Sequence, residues 1–191
     1  MKHVFMLLTL CLVVVLSYGQ EAEKELTRKE KRAMAREEKK KEQELIDNQL
    51  RLITKVAVDS AQWVLEADRL SGRKGGTINV SSTLNFIAIE GDKAFVQLGS
   101  NSGLGANGVG GVSVRGNVTK YEVEFNEKRG TYYIVVMVSS SLGVFDIRMN
   151  SNSTGQMVDA TVKGNSRHSV RYTGALVPVA QSRVYKGTPI L

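Results

Sequence analysis

Residues 120–139 have the sequence KYEVEFNEKRGTYYIVVMVS, which predicts two antiparallel strands joined by a short turn. In the first strand apolar residues alternate with charged ones, a period of two that gives one buried and one solvent-facing side. The polar turn ends at Gly130. The second strand is apolar without interruption over residues 132–138, so we expect a central strand covered on both faces. This stretch therefore favours an antiparallel β protein.

The same extended pattern continues through most of the chain after residue 62. Between residues 84–90 and 93–98 the dipeptide Gly91-Asp92 predicts a two-residue hairpin, in which the glycine adopts a positive φ. Helical patterns do not occur between the strands, which argues against parallel βαβ units. The remaining predicted strands are residues 63–70, 77–80, 112–115, 145–150, 157–163 and 169–177.

The predicted fold class is mainly β, with a long charged helix before the strands. We expect a single antiparallel curled sheet of about eight or nine strands, because closure as a barrel or a sandwich avoids long exposed edges. The predicted organisation has four parts. They are a signal peptide at 1–19, a charged helix or tether at 20–58, an antiparallel β domain at 59–180 and a C-terminal tail at 181–191.

The segment before the strands changes character near residue 45. Residues 21–44 are dominated by Glu, Lys and Arg, with pairs such as Glu37 and Lys41 in the order that favours a helix. This half has almost nothing to bury, so we expect a solvated helix. Further on, apolar residues recur every three or four positions and predict one face that packs against the β domain. That face comprises Leu45, Ile46, Leu50, Ile53 and either Val56 or Ala57.

The first nineteen residues have the three-part pattern of a secretory signal peptide. A basic start at Lys2 precedes an apolar stretch at residues 4–16, and Ser17 and Gly19 place small residues before the cut. The apolar stretch is shorter than the roughly 20 residues of a membrane-spanning helix. We expect cleavage after Gly19, export to the periplasm and no membrane span afterwards. We expect no lipidation, because Cys11 lies inside the apolar region rather than at its end.

Cleavage limits the chemistry that remains. It removes the only cysteine and leaves His168 as the only histidine, so a disulfide, a thiol enzyme and a His/Cys metal site are all excluded from the mature chain. The full chain has a formal net charge of +7. Residues 20–55 nevertheless hold eleven basic and nine acidic side chains, and no basic cluster accompanies an aromatic platform elsewhere. We therefore expect no nucleic-acid partner.

Two motifs have the residue types of a functional site, but neither predicts one. Residues 103–108 match the spacing G-x-G-x-x-G, but the sequence that follows is glycine-rich and then β-like, so no helix receives a phosphate. His168 lies in a polar turn without a serine in a nucleophile elbow. We predict no catalytic residue, no cofactor and no metal ligand, and the protein is not expected to be an enzyme. Residues 99–111 form a glycine-rich loop of the kind that borders binding sites.

Several segments resemble a known family. They are residues 89–99 (IEGDKAFVQLG), 110–112 (GGV), 116–121 (GNVTKY) and 172–178 (YTGALVP). Together they are similar to the exported bacterial domain of unknown function 4251, which is common in the Bacteroidota. The resemblance covers nearly the whole chain and implies an envelope protein without an assigned activity. Because its motifs are turns and strand patterns, it implies no site residues.

Three functional hypotheses follow. The first is a non-enzymatic envelope protein that binds a small ligand or another envelope component, of unknown identity. The alternative is a structural or protein-interaction module that uses the charged helix, and a hydrolase comes third. An open apolar interior near residues 99–111 would favour ligand binding, whereas an interior filled by side chains would count against it.

Overall fold

The computed structural model describes residues 27–72, 75–100, 110–165 and 169–189. Within these ranges one helix, α1 (Arg28–Asp59), precedes nine strands and a short 3-10 turn at Val179–Gln181. The strands are β1 (Gln62–Gly72), β2 (Thr77–Asn79), β3 (Phe86–Glu90), β4 (Lys93–Leu98), β5 (Val112–Asn126), β6 (Thr131–Ser140), β7 (Gly143–Asn152), β8 (Val158–Lys163) and β9 (Ser169–Pro178).

The sheet closes on itself as an antiparallel barrel. From β3 to β9 each strand pairs with the next along the chain, and β1 pairs with both β3 and β9. Short β2 lies outside this ring of eight, because it pairs only with residues 69–71 of β1, beyond the end of β3. Closure leaves no long unpaired edge among the eight strands. The predicted fold class is confirmed, and the barrel is the form that it takes.

Three details of the strand prediction were wrong, and one was right. The alternation in residues 120–126 predicts a buried side, but Val123 and Phe125 are 38% and 44% exposed. The sequence predicted separate strands at 112–115 and 120–126, but β5 is continuous and only shifts register between Val118 and Lys120. β6 was expected to be covered on both faces, yet Tyr133 and Met137 are exposed, since a barrel strand has only one inner face. The hairpin after β3 is confirmed, with Gly91 at φ +67°.

Side chains fill the interior of the barrel. Inward-facing residues from the barrel strands form one contiguous buried cluster, as expected for a barrel of this strand number. Its largest completely buried members include Trp63, Leu65, Ile87, Ile89, Ile134, Ile147 and Met149. The interior is therefore a packed core.

Helix α1 begins with a capping box. The Oγ1 atom of Thr27 accepts a hydrogen bond from the amide of Glu30 at 3.3 Å, and the Glu30 carboxylate accepts one from the amide of Thr27 at 2.7 Å. This bond lowers the pKa of Glu30. The helical residues up to Gln43 form a unit separate from residues 44–191, and their side chains are exposed. The predicted pair of Glu37 and Lys41 forms at 2.9 Å. Among the described residues, no helix is both long and apolar enough to span a membrane.

The second half of α1 packs on the barrel with a face that matches the predicted one only in part. Thr54, Ala57 and Val58 are buried, and the last two join the core cluster. Of the two alternatives for the end of the predicted face, Ala57 packs, whereas Val56 is 68% exposed, as is Leu45 at 66%. With 3.6 residues per turn, a helix with a face centred on Thr54 turns Leu45 and Val56 to the opposite side. The prediction was therefore right at Ala57 and wrong at Leu45.

A chain of hydrogen bonds fixes the end of α1 to the barrel wall. The indole Nε1 of Trp63 donates to the hydroxyl of Tyr121 at 3.0 Å. The same hydroxyl donates to the carbonyl oxygen of Val58 at 2.7 Å. The Val58 carbonyl also accepts from the amide of Ala61 at 3.1 Å, so Tyr121 adds a second hydrogen bond that ties α1 to β5 and β1.

A second, smaller apolar cluster lies on the outside of the barrel. It contains Val64, Phe86, Ala88 and Phe95, and the two phenyl rings stack with centroids 5.7 Å apart. Val177, Val179 and Val184 pack against it from the end of β9 and the tail. The C-terminal segment, residues 182–189, is therefore bound to the outer surface of the barrel.

Candidate functional site

An apolar groove lies between α1 and the segment that follows β9, and we call it the helix groove. Its volume is about 640 Å³, within the usual size range of ligand sites. Its lining residues are Leu52, Ile53, Val56, Ala57, Ser60, Gln62, Pro178, Val179, Ala180 and Gln181. None of these side chains carries a charge, so the groove offers an almost entirely apolar surface.

The helix wall of the groove is a stripe of exposed apolar side chains. Leu52 and Val56 are 67% and 68% exposed, and Leu45 continues the same side of the helix one heptad earlier. Scattered apolar residues on a surface are ordinary, but a contiguous exposed patch marks an interaction site. The stripe and the groove beside it form such a patch.

A tight turn between α1 and β1 determines where the groove lies. Ser60 donates its hydroxyl hydrogen to the carbonyl of Val56 at 2.6 Å, which holds the last helical turn. Ala61 has φ +52°, a conformation that non-glycine residues seldom adopt. The carbonyl of Ala61 accepts a hydrogen bond from the amide of Gly91 at 2.8 Å. These contacts fix Gln62 at the base of the groove, where β1 begins.

A smaller pocket with basic side chains lies between β4, β5 and the C-terminal segment, and we call it the basic pocket. Its volume is about 290 Å³. Lys93, Arg115 and Lys186 contribute the positive charges, and Phe95 and Pro189 contribute apolar surface. The pocket therefore combines cationic donors with an apolar base.

The cations of the basic pocket differ in their partners. Lys93 donates to Oδ1 of Asn117 at 2.7 Å and lies 3.3 Å from the Asp92 carboxylate. The ammonium of Lys186 pairs with Glu90 and lies 5.9 Å from the centroid of the Phe95 ring. Arg115 makes no hydrogen bond or ion pair through its side chain within the part of the chain that the structure describes.

The C-terminal wall of the basic pocket is held by one buried amide. The side chain of Gln97 is completely buried on the outer side of β4. Its Nε2 donates to the carbonyls of Leu84 and Tyr185 at 3.0 and 2.9 Å. Its Oε1 accepts from the Ser113 hydroxyl at 2.9 Å and from the Gly187 amide at 2.8 Å. Two of these four hydrogen bonds fix the backbone on either side of Lys186, and the other two connect Gln97 to Leu84 and Ser113.

The groove and the pocket are neighbours on the outer surface. In the sheet Gln62 of β1 pairs with Glu90 of β3, and Glu90 pairs with Lys93 of β4. Adjacent strands lie about 4.8 Å apart, so the backbones of Gln62 and Lys93 are separated by roughly 10 Å. Apolar and basic surfaces therefore meet at the end of the barrel where α1 packs.

Neither surface follows from the motifs that the sequence offers. His168, Cys11 and residues 103–108 lie outside the described residues. Of the glycine-rich loop, only the ends are described, where the Ser100 hydroxyl donates to the carbonyl of Gly110 at 3.0 Å. No three His, Cys, Asp or Glu residues approach one another as metal ligands in the described ranges. The exposed apolar stripe of Leu45, Leu52 and Val56 on α1 was not predicted as a surface from the sequence.

Fold and site together define the protein as a closed antiparallel barrel of eight strands, with a filled interior and an apolar groove on its outer surface. The chain belongs to the domain of unknown function family DUF4251, whose sequence model matches residues 46–176. This confirms the resemblance found in the sequence.

A solved structure of the same family shares the fold. It is a crystal structure of a DUF4251 family protein from Bacteroides eggerthii DSM 20697, with 26% sequence identity and a TM-score of 0.59. The match covers 70% of this chain and 90% of that one. A search of curated proteins finds no match.

Proposed function

We propose that this protein is a non-enzymatic binding protein of the bacterial envelope and that its ligand has an apolar part that lies in the helix groove. The observation that supports this is the uncharged, largely apolar lining of a groove of about 640 Å³ that remains open to solvent. Apolar concave surfaces of this size with a few polar groups are the usual form of ligand sites.

The filled interior counts against a ligand inside the barrel, so the proposed site lies on the outer surface. A ligand inside would have to displace side chains such as Trp63 and Met149, both completely buried. Each large buried side chain contributes about 1.5–3 kcal/mol of burial free energy, so opening the interior would be costly. The helix groove requires no such displacement, because Leu52 and Val56 are already exposed.

The first experiment is a titration with N-phenyl-1-naphthylamine, a neutral apolar dye that fluoresces when it leaves water. We expect saturable binding with a stoichiometry of one dye per protein. The variants Leu52→Asp and Val56→Asp place a charge on the helix wall and should weaken binding about tenfold or more, because a carboxylate does not enter an apolar site without a partner. Both residues are exposed, so folding should be unaffected.

The matched control is Met157→Asp. Met157 is 73% exposed and does not line the helix groove, so the same charge there should leave dye binding unchanged. Equal binding by the native protein and by Leu52→Asp would show that the dye binds elsewhere and would contradict the proposal.

The alternative of a protein-interaction module also has one supporting observation. The side chains of helical residues 28–46 are exposed, so they are accessible to a partner. Native mass spectrometry of the protein purified from its own envelope distinguishes the two functions. A retained small mass supports the ligand, and a stoichiometric protein partner supports the module.

A further inference from the structure

We propose that the ligand is an anionic amphiphile, a molecule with a hydrocarbon chain and an acidic headgroup. The chain lies in the helix groove, and the headgroup binds in the basic pocket. This inference rests on the proposed function and adds the chemical class of the ligand. The helix groove is apolar and the neighbouring basic pocket is positively charged, and one molecule of this class would bind to both surfaces.

The first argument is position. Gln62 lines the helix groove, and its strand partner Glu90 lines the basic pocket. Side chains alternate along β1 and β3, and both residues lie on the outer side, next to inward-facing Trp63 and Ile89. A hydrocarbon chain in the groove would therefore reach the basic pocket by crossing about two strand spacings, roughly 10 Å.

The second argument is charge. Three cations face two carboxylates around the basic pocket, because Lys186 pairs with Glu90 and Lys93 lies beside Asp92. The excess positive charge belongs to Arg115, which has no side-chain partner in the described part of the chain. A guanidinium presents a planar fork of donors that fits a carboxylate or a phosphate in two parallel hydrogen bonds. The pocket thus matches an acidic headgroup rather than a neutral or a cationic one.

The third argument is preorganisation. The backbone of the C-terminal segment is fixed at Tyr185 and Gly187 by the buried Gln97 side chain, which positions Lys186 between them. Arg115 pairs across the sheet with Phe95, so its backbone belongs to the barrel wall. A site whose backbone is already fixed loses less conformational entropy when the ligand binds.

The test compares three amphiphiles with the same dodecyl chain and different headgroups. Laurate is anionic, dodecyl maltoside is neutral and dodecyltrimethylammonium is cationic. Each is titrated below its micelle concentration against N-phenyl-1-naphthylamine bound to the purified protein. We expect laurate to displace the dye at a concentration about tenfold lower than dodecyl maltoside, and the cationic compound to be weakest. The preference for laurate should decrease at high salt.

Substitutions at Arg115 then test whether the preference for laurate depends on the basic pocket. Arg115→Ala should remove most of the difference between laurate and dodecyl maltoside and leave dye binding unchanged, and Arg115→Lys should retain part of it. The control is Arg129→Ala, in the turn between β5 and β6, where the same loss of charge should leave the preference intact.

The outcomes separate this inference from the proposed function. If the dye binds in the groove but laurate and dodecyl maltoside displace it equally, the headgroup site is wrong and the apolar groove remains. A laurate preference that persists in Arg115→Ala also overturns the inference. If the amphiphiles do not compete and the protein forms a dimer that Leu52→Asp dissociates, the groove belongs to a second copy of the chain, and both proposals fail.

Discussion

The backbone amide of Gly187 donates a hydrogen bond of 2.8 Å to Oε1 of Gln97, a residue 90 positions earlier in the chain. This bond joins the C-terminal segment to the outer wall of the barrel. It also shows that the outer surface contains a buried polar network of its own, separate from the apolar interior. Because the basic pocket is built on this network, its shape depends on Gln97.

Replacement of Gln97 should destabilise the protein strongly. In Gln97→Leu the side chain keeps its approximate size, but the Gly187 amide and the carbonyls of Leu84 and Tyr185 lose their hydrogen bonds to it. Each buried polar group left unpaired costs about 1–3 kcal/mol, so we expect the free energy of unfolding to fall by about 3 kcal/mol or more. Urea denaturation measures it. The exposed Gln156→Leu is the control, and similar midpoints for both variants would contradict the prediction.

Trp63 should be the most costly single truncation in the interior. It is completely buried, and it also binds the hydroxyl of Tyr121. Trp63→Ala leaves a large cavity and should reduce the free energy of unfolding by about 3–5 kcal/mol. Circular dichroism during urea denaturation is the appropriate measurement, since the variant has no tryptophan. Tyr185→Ala, at a side chain 64% exposed, should change stability little. A loss below about 1 kcal/mol at Trp63 would disagree with its burial.

Stability should decrease at alkaline pH because of buried tyrosines. Burial raises the pKa of Tyr121 to about 12, and burial also raises the pKa of Tyr132 and Tyr172. In the unfolded chain a tyrosine ionises near pH 10. Between about pH 10 and 12 the folded state therefore binds more protons than the unfolded state, so the free energy of unfolding falls as pH rises.

The variant Tyr121→Phe tests this assignment. Below pH 10 it should be less stable than the native protein, because the indole Nε1 of buried Trp63 loses its acceptor and the carbonyl of Val58 loses one of its two hydrogen bonds. Above pH 10 its stability should fall less steeply, since one titrating group is gone. Urea denaturation from pH 8 to 12 gives both slopes. Tyr185→Phe serves as the exposed control, and an unchanged slope in Tyr121→Phe would show that another group titrates.

The contact between β9 and β1 should tolerate only glycine at position 174. A Cβ atom there would lie 2.0 Å from the carbonyl oxygen of Glu66, so the two strands would have to separate. Gly174→Ala should cost about 1–3 kcal/mol or more, as other overpacked sites do. Gly76→Ala is the matched control, because its Cβ would meet no atom within 4 Å. Equal thermal midpoints for the two variants would argue against the close approach.

Export remains a prediction, and the mass of the recovered protein tests it directly. The protein expressed with its full sequence in a bacterium of the same phylum should be recovered with Gln20 as its first residue, as intact mass spectrometry would show. Gly19→Leu replaces the small residue before the cut and should block processing. Recovery of the native chain with residues 1–19 still attached would contradict the predicted signal peptide.

The sequence by itself determined the fold class and most of the strands. Alternation of apolar and charged residues identified β5 as a strand, although its apolar residues Val123 and Phe125 remain exposed. The turn at Gly91 was predictable as well, because a two-residue hairpin requires the positive φ that glycine adopts readily. The resemblance to DUF4251 also came from local segments, since strands and turns are local patterns.

Only the tertiary structure decided where the binding surfaces lie. Apolar residues occur on two sides of α1, and hydrophobic periodicity cannot tell which side packs. Contact with the barrel buries Thr54 and leaves Leu52 exposed. Gln97 sits in an apolar strand pattern, yet its partners come from residues far away in sequence. Barrel closure between β1 and β9 is equally non-local. Local patterns specify which residues prefer burial, and the choice of partners depends on contacts that form only when the whole chain folds.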